Sequence, residues 1–220
     1  MPGNRNFSTN SSLSMSPATL AYINRLKLRT SNGFETMECD YSKILALALP
    51  GFFRSDAHWC IAPEWVLDER IIPDYYISRI ETDSTNAFYG GSYNHLVVET
   101  KNRAAISWWG LLKGQAWDQC DNGKNYPSGT IFFIGLIGFE ICFFNFNIND
   151  YPSHSGNYTN FSPINKREFT TLDLDALDIK YITELNNNIH EIRVIKWRLD
   201  DTSQHIYIDE MFNHILEQAV

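Results

Sequence analysis

An α/β fold is predicted for this chain of 220 residues by three observations. Segments with apolar residues at helical spacing alternate with runs rich in β-branched and aromatic residues. Their order is helix, strand, strand, helix, strand, strand. Apolar residues make up 44% and charged residues 20% of the chain, the composition of a protein that folds around a core. The length suits one domain with small extensions rather than two full domains.

Residues 1–16 are rich in Ser and Asn and poor in large apolar side chains, which predicts a disordered tail ahead of a single domain over 17–220. From Pro17, Leu20, Ile23 and Leu26, with Ala21 and Leu28, follow helical spacing, and Ser16 is placed to cap the helix. Ser31, Asn32 and Gly33 break it. A second helix is expected from Phe34 to just before Pro50, with Phe34, Glu38, Tyr41, Leu45 and Ala48 on one face and Glu35 solvated. The stretch from Pro50 to Pro63 reads as turns, Trp65–Leu67 as a short edge strand, and residues 71–80 as a longer strand starting at Pro73.

Residues 82–94 are expected to form a loop turning at Gly90-Gly91, and His95–Lys101 a strand that pairs back as a hairpin. Ala104 to Cys120 returns to helical spacing and stops at Asp121, Asn122 and Gly123. The runs 130–137 and 139–146 are almost wholly apolar. Gly135, Gly138 and Glu140 interrupt them and β-formers dominate, so two buried strands are expected rather than a membrane span. Residues 147–171 read as an excursion, 172–189 as a helix, 192–197 as an extended segment, and 206–218 as a closing helix in which Ile206-Tyr207-Ile208 suits a strand equally well.

Charge and cysteine usage narrow the function classes. The chain carries 18 Lys and Arg against 26 Asp and Glu, net −8, so it is no general sponge for polyanions and must meet one through a local basic patch. Residues 1–60 hold six basic and four acidic side chains, whereas the remainder holds 12 and 22. Arg25, Lys27 and Arg29, with Lys101, Arg103 and Lys113, compose the expected basic stripe. Cys39, Cys60, Cys120 and Cys142 lie far apart, which argues against a zinc ribbon and for buried thiols. The lack of a basic segment followed by an apolar one at the start disfavours secretion, so an intracellular location, nuclear or cytoplasmic, is expected. Phosphate-loop, Gly-x-Ser-x-Gly and His-Glu-x-x-His patterns are absent from the sequence. His95 is a lone histidine at a strand start, and Trp108 and Trp109 suit a core helix better than base stacking.

Three acids and a lysine stand out by position: Glu38 on a helix, Asp74 after Pro73 at a strand start, and Glu99 with Lys101 on the next strand. Strand residues two apart share a face, so Glu99 and Lys101 point the same way and Thr100 the other. Asp74 on the adjacent strand approaches Glu99, and two close carboxylates repel unless a proton or cation separates them. Hard oxygen ligands favour Mg²⁺ or Mn²⁺ over zinc. Such a cation, with a lysine beside it, suits hydrolysis of a phosphodiester.

Pro73-Asp74 followed by Glu99-Thr100-Lys101, between two helices, resembles the PD-(D/E)XK nuclease superfamily over residues 34–146. It is similar in particular to stand-alone nuclease-like proteins of fungi. The resemblance implies a restriction-endonuclease-like mixed central sheet flanked by helices. It also implies Asp74, Glu99 and the Thr100 carbonyl as metal ligands, Lys101 as the catalytic lysine, and an acid on the first core helix, for which Glu38 is the candidate. Gln115 matches the start of a Q-x-x-x-Y substrate-binding signature found in exonuclease-like members, but Gln119 stands where that signature has tyrosine. Arg103 and Lys113 are further candidates for substrate contact.

Each residue also has a plainer role: Asp74 as a turn residue, Glu99 and Lys101 as an ion pair on an exposed strand edge, Glu38 as an acid complementing a helix dipole, Gln115 as a surface amide. The leading expectation is a metal-dependent nuclease acting on DNA or RNA, with no membrane partner. The alternatives are a catalytically inactive binding or regulatory module, or a small-molecule enzyme recruited onto the same fold.

Overall fold

The computed structural model describes residues 15–64, 72–82, 88–102, 119–120, 130–147, 161–163, 178–185 and 188–218. It has the expected α/β architecture, a mixed sheet with helices packed against it. Helix α1 spans Pro17–Ser31. The Ser16 hydroxyl accepts from the Thr19 N–H at 3.2 Å, satisfying one of the donors a helix start leaves open. Thr19, Ile23 and Leu26 form its buried stripe, and Ala21 and Leu28 are exposed, because each lies two positions from a stripe residue and so projects from the far side. Met15 is buried, so the folded body begins two residues before the helix rather than after a tail ending at 16. Residues 1–14 of that expected tail lie outside the described residues.

Helix α2 spans Glu38–Phe52 and differs from expectation at both ends. Residues 34–37 are not helical, and Phe34 is exposed rather than part of the stripe. The Asp40 carboxylate accepts from the Met37 N–H at 3.1 Å and so fixes a later start. Pro50 lies inside the helix, where it removes one donor. Burial of Phe52 and Phe53 offsets that loss: Phe52 stacks on Phe212 at 4.0 Å between ring centres, and Phe53 meets Trp59 edge-on at 5.1 Å.

The strands are β1 Trp59–Pro63, β2 Tyr75–Thr82, β3 Phe88–Lys101, β4 Thr130–Ile137, β5 Glu140–Asn147 and β6 Phe161–Pro163, hydrogen-bonded in that order. Pairing is antiparallel except between β3 and β4, which run parallel, with Glu99 beside Gly135 and Lys101 beside Ile137. β7 (Asp178–Leu185) and β8 (Asn188–Ile195) form a separate antiparallel pair, and β9 (Trp197–Arg198) joins β5. Helix α3, His205–Glu217, closes the chain, so Ile206–Ile208 are helical rather than extended.

Several expectations are corrected. β1 occupies the supposed turn region, carried by Trp59, Cys60 and Ile61, while Trp65–Leu67 lie outside the described residues. Gly90 and Gly91 lie within β3 instead of turning the hairpin, whose pairing runs out to Thr82 with Phe88. Breaks in register after Ile77 and Ile80 accommodate this, the usual company of strand glycines. The helix expected over 172–189 is a strand where it is described. Ile179, Tyr181, Thr183 and Leu185 alternate along β7, and this period of two, together with pairing to β8, overrides the helical spacing.

Both sheet faces are buried, as a sheet with a parallel pair requires. Ile77, Leu96, Val98, Phe132, Ile134, Ile141 and Phe143 pack with α1, α2 and α3 in one core. Val97, Phe133, Cys142 and Phe144, at the alternate positions, are buried as well.

His95 ties this sheet to α3. Its ring lies 5.1 Å from both Trp59 and Phe132, and its Nε2–H donates to the Ile215 carbonyl at 2.8 Å. Burial above all, with the Arg79 charge adding, lowers its pKa to about 4, outweighing the Ile215 bond. The unfolded chain then binds more protons between pH 6.5 and 4, so stability is held above pH 6.5 and lost as pH falls through this window. Denaturant unfolding is expected to show a loss of about 3 kcal/mol attributable to this group, and His95→Gln is expected to flatten that part of the profile.

Candidate active site

The neighbourhood of β3 dictates what its last residues can do. Glu99 and Lys101 share a face by strand alternation, and the strand is central rather than at an edge, so both are buried, 4% and 6% exposed. The expectation of an ion pair on an exposed edge is overturned. The Lys101 ammonium lies 2.5 Å from Glu99 Oε1 and 3.2 Å from Glu38 Oε1. Lys101 ends β3 and Glu38 opens α2, which lets the four-carbon stem reach both acids although α2 packs on the Val98 face. The other Glu99 oxygen accepts from Gln119 Nε2 at 2.8 Å.

Asp74 precedes β2. Its Oδ2 accepts from the Thr100 N–H at 2.6 Å and from the Thr100 hydroxyl at 2.5 Å. The Lys101 carbonyl accepts from the Gly138 N–H at 3.1 Å on the β4 side. The polar groups of the residue before it therefore point to the β2 side, so the Thr100 carbonyl faces the start of β2 together with its N–H. Extending the β2–β3 register places Pro73 opposite Thr100. Proline has no N–H to offer that carbonyl. Asp74 and the Thr100 carbonyl thus lie at the end of β3 that also carries Glu99.

Electrostatics follow the geometry. Burial raises the Glu99 pKa; the Lys101 contact and the Gln119 bond oppose the rise, and the Asp74 charge adds to it. For Lys101, burial works to lower the pKa, but Glu99 and Glu38 outweigh it and the ammonium is held above its ordinary value. Gln119 Oε1 is buried with no hydrogen-bond partner among the described residues, an acceptor left open beside the pair.

In kind, the donors fit a hard divalent cation. Two carboxylates and one carbonyl are all oxygen, and a carboxylate offers about four lone-pair sites, of which Lys101 and Gln119 take two at Glu99. Among the described residues no group of three or more His, Cys, Asp and Glu is placed to hold a metal ion.

Glu38, Asp74, Glu99, Thr100 and Lys101 are thus gathered in one region. Gln115, Arg103, Lys113, Trp108 and Trp109 lie outside the described residues. Gln119 was noted in the sequence only as a missing tyrosine, yet it is the amide that holds Glu99. Its place one turn after Gln115 on the same helical face was the available signal. The expected basic stripe is not formed as drawn: Lys101 is buried and Lys27 reaches toward Asp200 at 3.8 Å. Cys39 and Cys60 are exposed, not buried, and all four cysteines are free.

Lys101→Met leaves Glu99 buried without its cation, and a loss of about 3–5 kcal/mol in unfolding free energy is expected. In that variant the folded-state pKa of Glu99 rises further above the unfolded value, so the folded form binds the extra proton and stability falls as pH increases. Denaturant titrations are expected to show a larger loss at pH 8 than at pH 5. Equal losses would mean that Glu99 does not depend on Lys101. No protein-family model, curated protein or solved structure matches the chain.

Proposed function

We propose that this protein is a divalent-metal-dependent phosphodiesterase acting on DNA or RNA, built on a restriction-endonuclease-like PD-(D/E)XK arrangement. The observation that carries the reading is the buried Lys101 ammonium clamped between Glu99 and Glu38, one residue from the strand end where Asp74 meets Thr100. The antiparallel β2–β3 pair followed by the parallel β3–β4 pair supports it.

Asp74, Glu99 and the Thr100 carbonyl would hold Mg²⁺ or Mn²⁺. Bound there, the ion supplies polarisation of the phosphate and a more acidic water. Lys101 offsets negative charge as it builds on the phosphate and orients the attacking water through its one remaining N–H donor. Glu38 and Glu99 keep the ammonium charged and in place. Gln119 fixes the Glu99 carboxylate plane, and its open oxygen accepts from a water in the site. The surrounding apolar residues, Val97 and Ile137 among them, limit solvent and so strengthen each of these interactions.

A second reading, a non-catalytic binding module on the same fold, draws on the engagement of both Glu99 oxygens. The two separate in one experiment. Purified protein with Mg²⁺ or Mn²⁺ is expected to cut single- or double-stranded DNA or RNA. Lys101→Ala and Asp74→Asn are each expected to lower the rate at least about 10²-fold, with circular dichroism showing both variants folded. Equal cutting by wild type and variants would reject the assignment. Calorimetry without Mg²⁺ or Mn²⁺ binding, together with retained partner binding, would establish the module.

A further inference from the structure

A second polar feature lies on the other side of the α2 start. Tyr22, Arg25, Leu26 and Arg29 of α1 face Asp40 and Lys43 of α2 across a small cleft of about 190 Å³. Positions 22, 25, 26 and 29 recur at three- and four-residue steps, so they form one stripe on α1. Leu26 is the buried floor, while Arg25 and Lys43 are exposed at the rim. At about 30 Å³ per water, the volume corresponds to about six waters, which suits a small solvated anion and excludes a large apolar ligand.

The charges do not balance. Arg25, Arg29 and Lys43 surround one acid, Asp40, and the pairings are long: Arg29 to Asp40 Oδ1 is 3.6 Å and Lys43 to the same oxygen is 3.8 Å. The second Asp40 oxygen is committed to the Met37 N–H. The Tyr22 hydroxyl, its pKa raised by burial and then by Asp40, gives its one proton to that carboxylate and so occupies the acid further. Three cations held around a concavity that contains one acid, in a chain of net charge −8, are a local concentration of positive charge. Arginine forks and a lysine point charge match the oxygens of a phosphate.

We propose that the α1/α2 cleft binds a phosphate group, through Arg25, Arg29 and Lys43. The group belongs either to a nucleic acid strand or to a free phosphate. This site uses none of the residues assigned to phosphodiester hydrolysis and stands whether or not the protein cuts.

The test is ¹⁵N nuclear magnetic resonance on the full chain titrated with inorganic phosphate, against chloride at equal ionic strength. Saturable shifts are expected in α1 and the first turn of α2, with at least about tenfold weaker binding in the double variant Arg25→Gln, Lys43→Gln, whose thermal midpoint stays near that of the wild type. A metal-free titration with a single-stranded oligonucleotide distinguishes the sources. A strand phosphate gives tighter binding than inorganic phosphate and a plot of log K against log salt that is shallower by about 1.4 in the double variant. A free phosphate gives oligonucleotide binding no tighter than that of the inorganic ion. Phosphate shifts no larger than those from chloride, or equal affinity in the double variant, would overturn the proposal.

Discussion

The contact on which the site depends is the ion pair between Lys101 and Glu99 in the middle of the sheet. Removing two charges from water costs several kcal/mol per ion, and mutual attraction repays this only with good geometry and further hydrogen bonds. Glu38 and Gln119 supply those bonds. Two well-packed apolar residues in the same places would stabilise a sheet at least as well, because Val97, Phe133 and Ile137 on the same face are apolar and buried. Stability therefore gives no reason for a lysine and a glutamate here. A buried ammonium held beside two acids is a poised charge that water cannot screen, and the hydrolysis proposed above draws on it.

The strand end adds a second constraint. Ladder hydrogen bonds between β2 and β3 run up to Tyr75 and Val98 and then meet Pro73, which has no donor. Asp74 takes the place of the ladder for the Thr100 N–H, and the neighbouring carbonyl faces the same gap. A proline that stops one strand thus leaves the Thr100 carbonyl without its ladder donor, while Asp74 takes up the Thr100 N–H. The pattern Pro-Asp then Glu-x-Lys has a physical reading in this chain: the first pair ends the ladder, and the second places an acid and a cation on one face just before β3 ends.

Local rules made much of this legible from the sequence. Helix α1 and its Ser16 cap, the pairing of β2 with β3 and the β4–β5 pair split at Gly138 follow from spacing and turn residues, whereas the turn of the hairpin and the helical state of Ile206–Ile208 do not. What the sequence hid depends on tertiary contact. Burial of Lys101 requires knowing that β3 lies between β2 and β4, which no periodicity within the strand reveals. Gln119 acts through a contact twenty residues away in the chain. β1 is short and pairs only through register with β2, and β7 gains its strand character from β8. Pro50 stays helical because Phe52 and Phe53 are anchored by Phe212 and Trp59, a gain invisible to local propensity.

The late start of α2 links the two polar regions of the molecule. Residues two apart on a helix point about 200° from each other, so the first turn sends Glu38 toward Lys101 and Asp40 toward Arg29 and Lys43. A helix beginning at Phe34 would still carry both acids, but Met37 would then be helical and Asp40 could not accept from its N–H as a cap. The cap therefore sets more than the helix boundary. It spends one oxygen of Asp40 on the backbone, leaving a single oxygen to answer two cations while Arg25 stands at the rim. Three cations against one acid set the excess of positive charge in the α1/α2 cleft, and the same first turn of α2 delivers the acid that steadies the buried lysine.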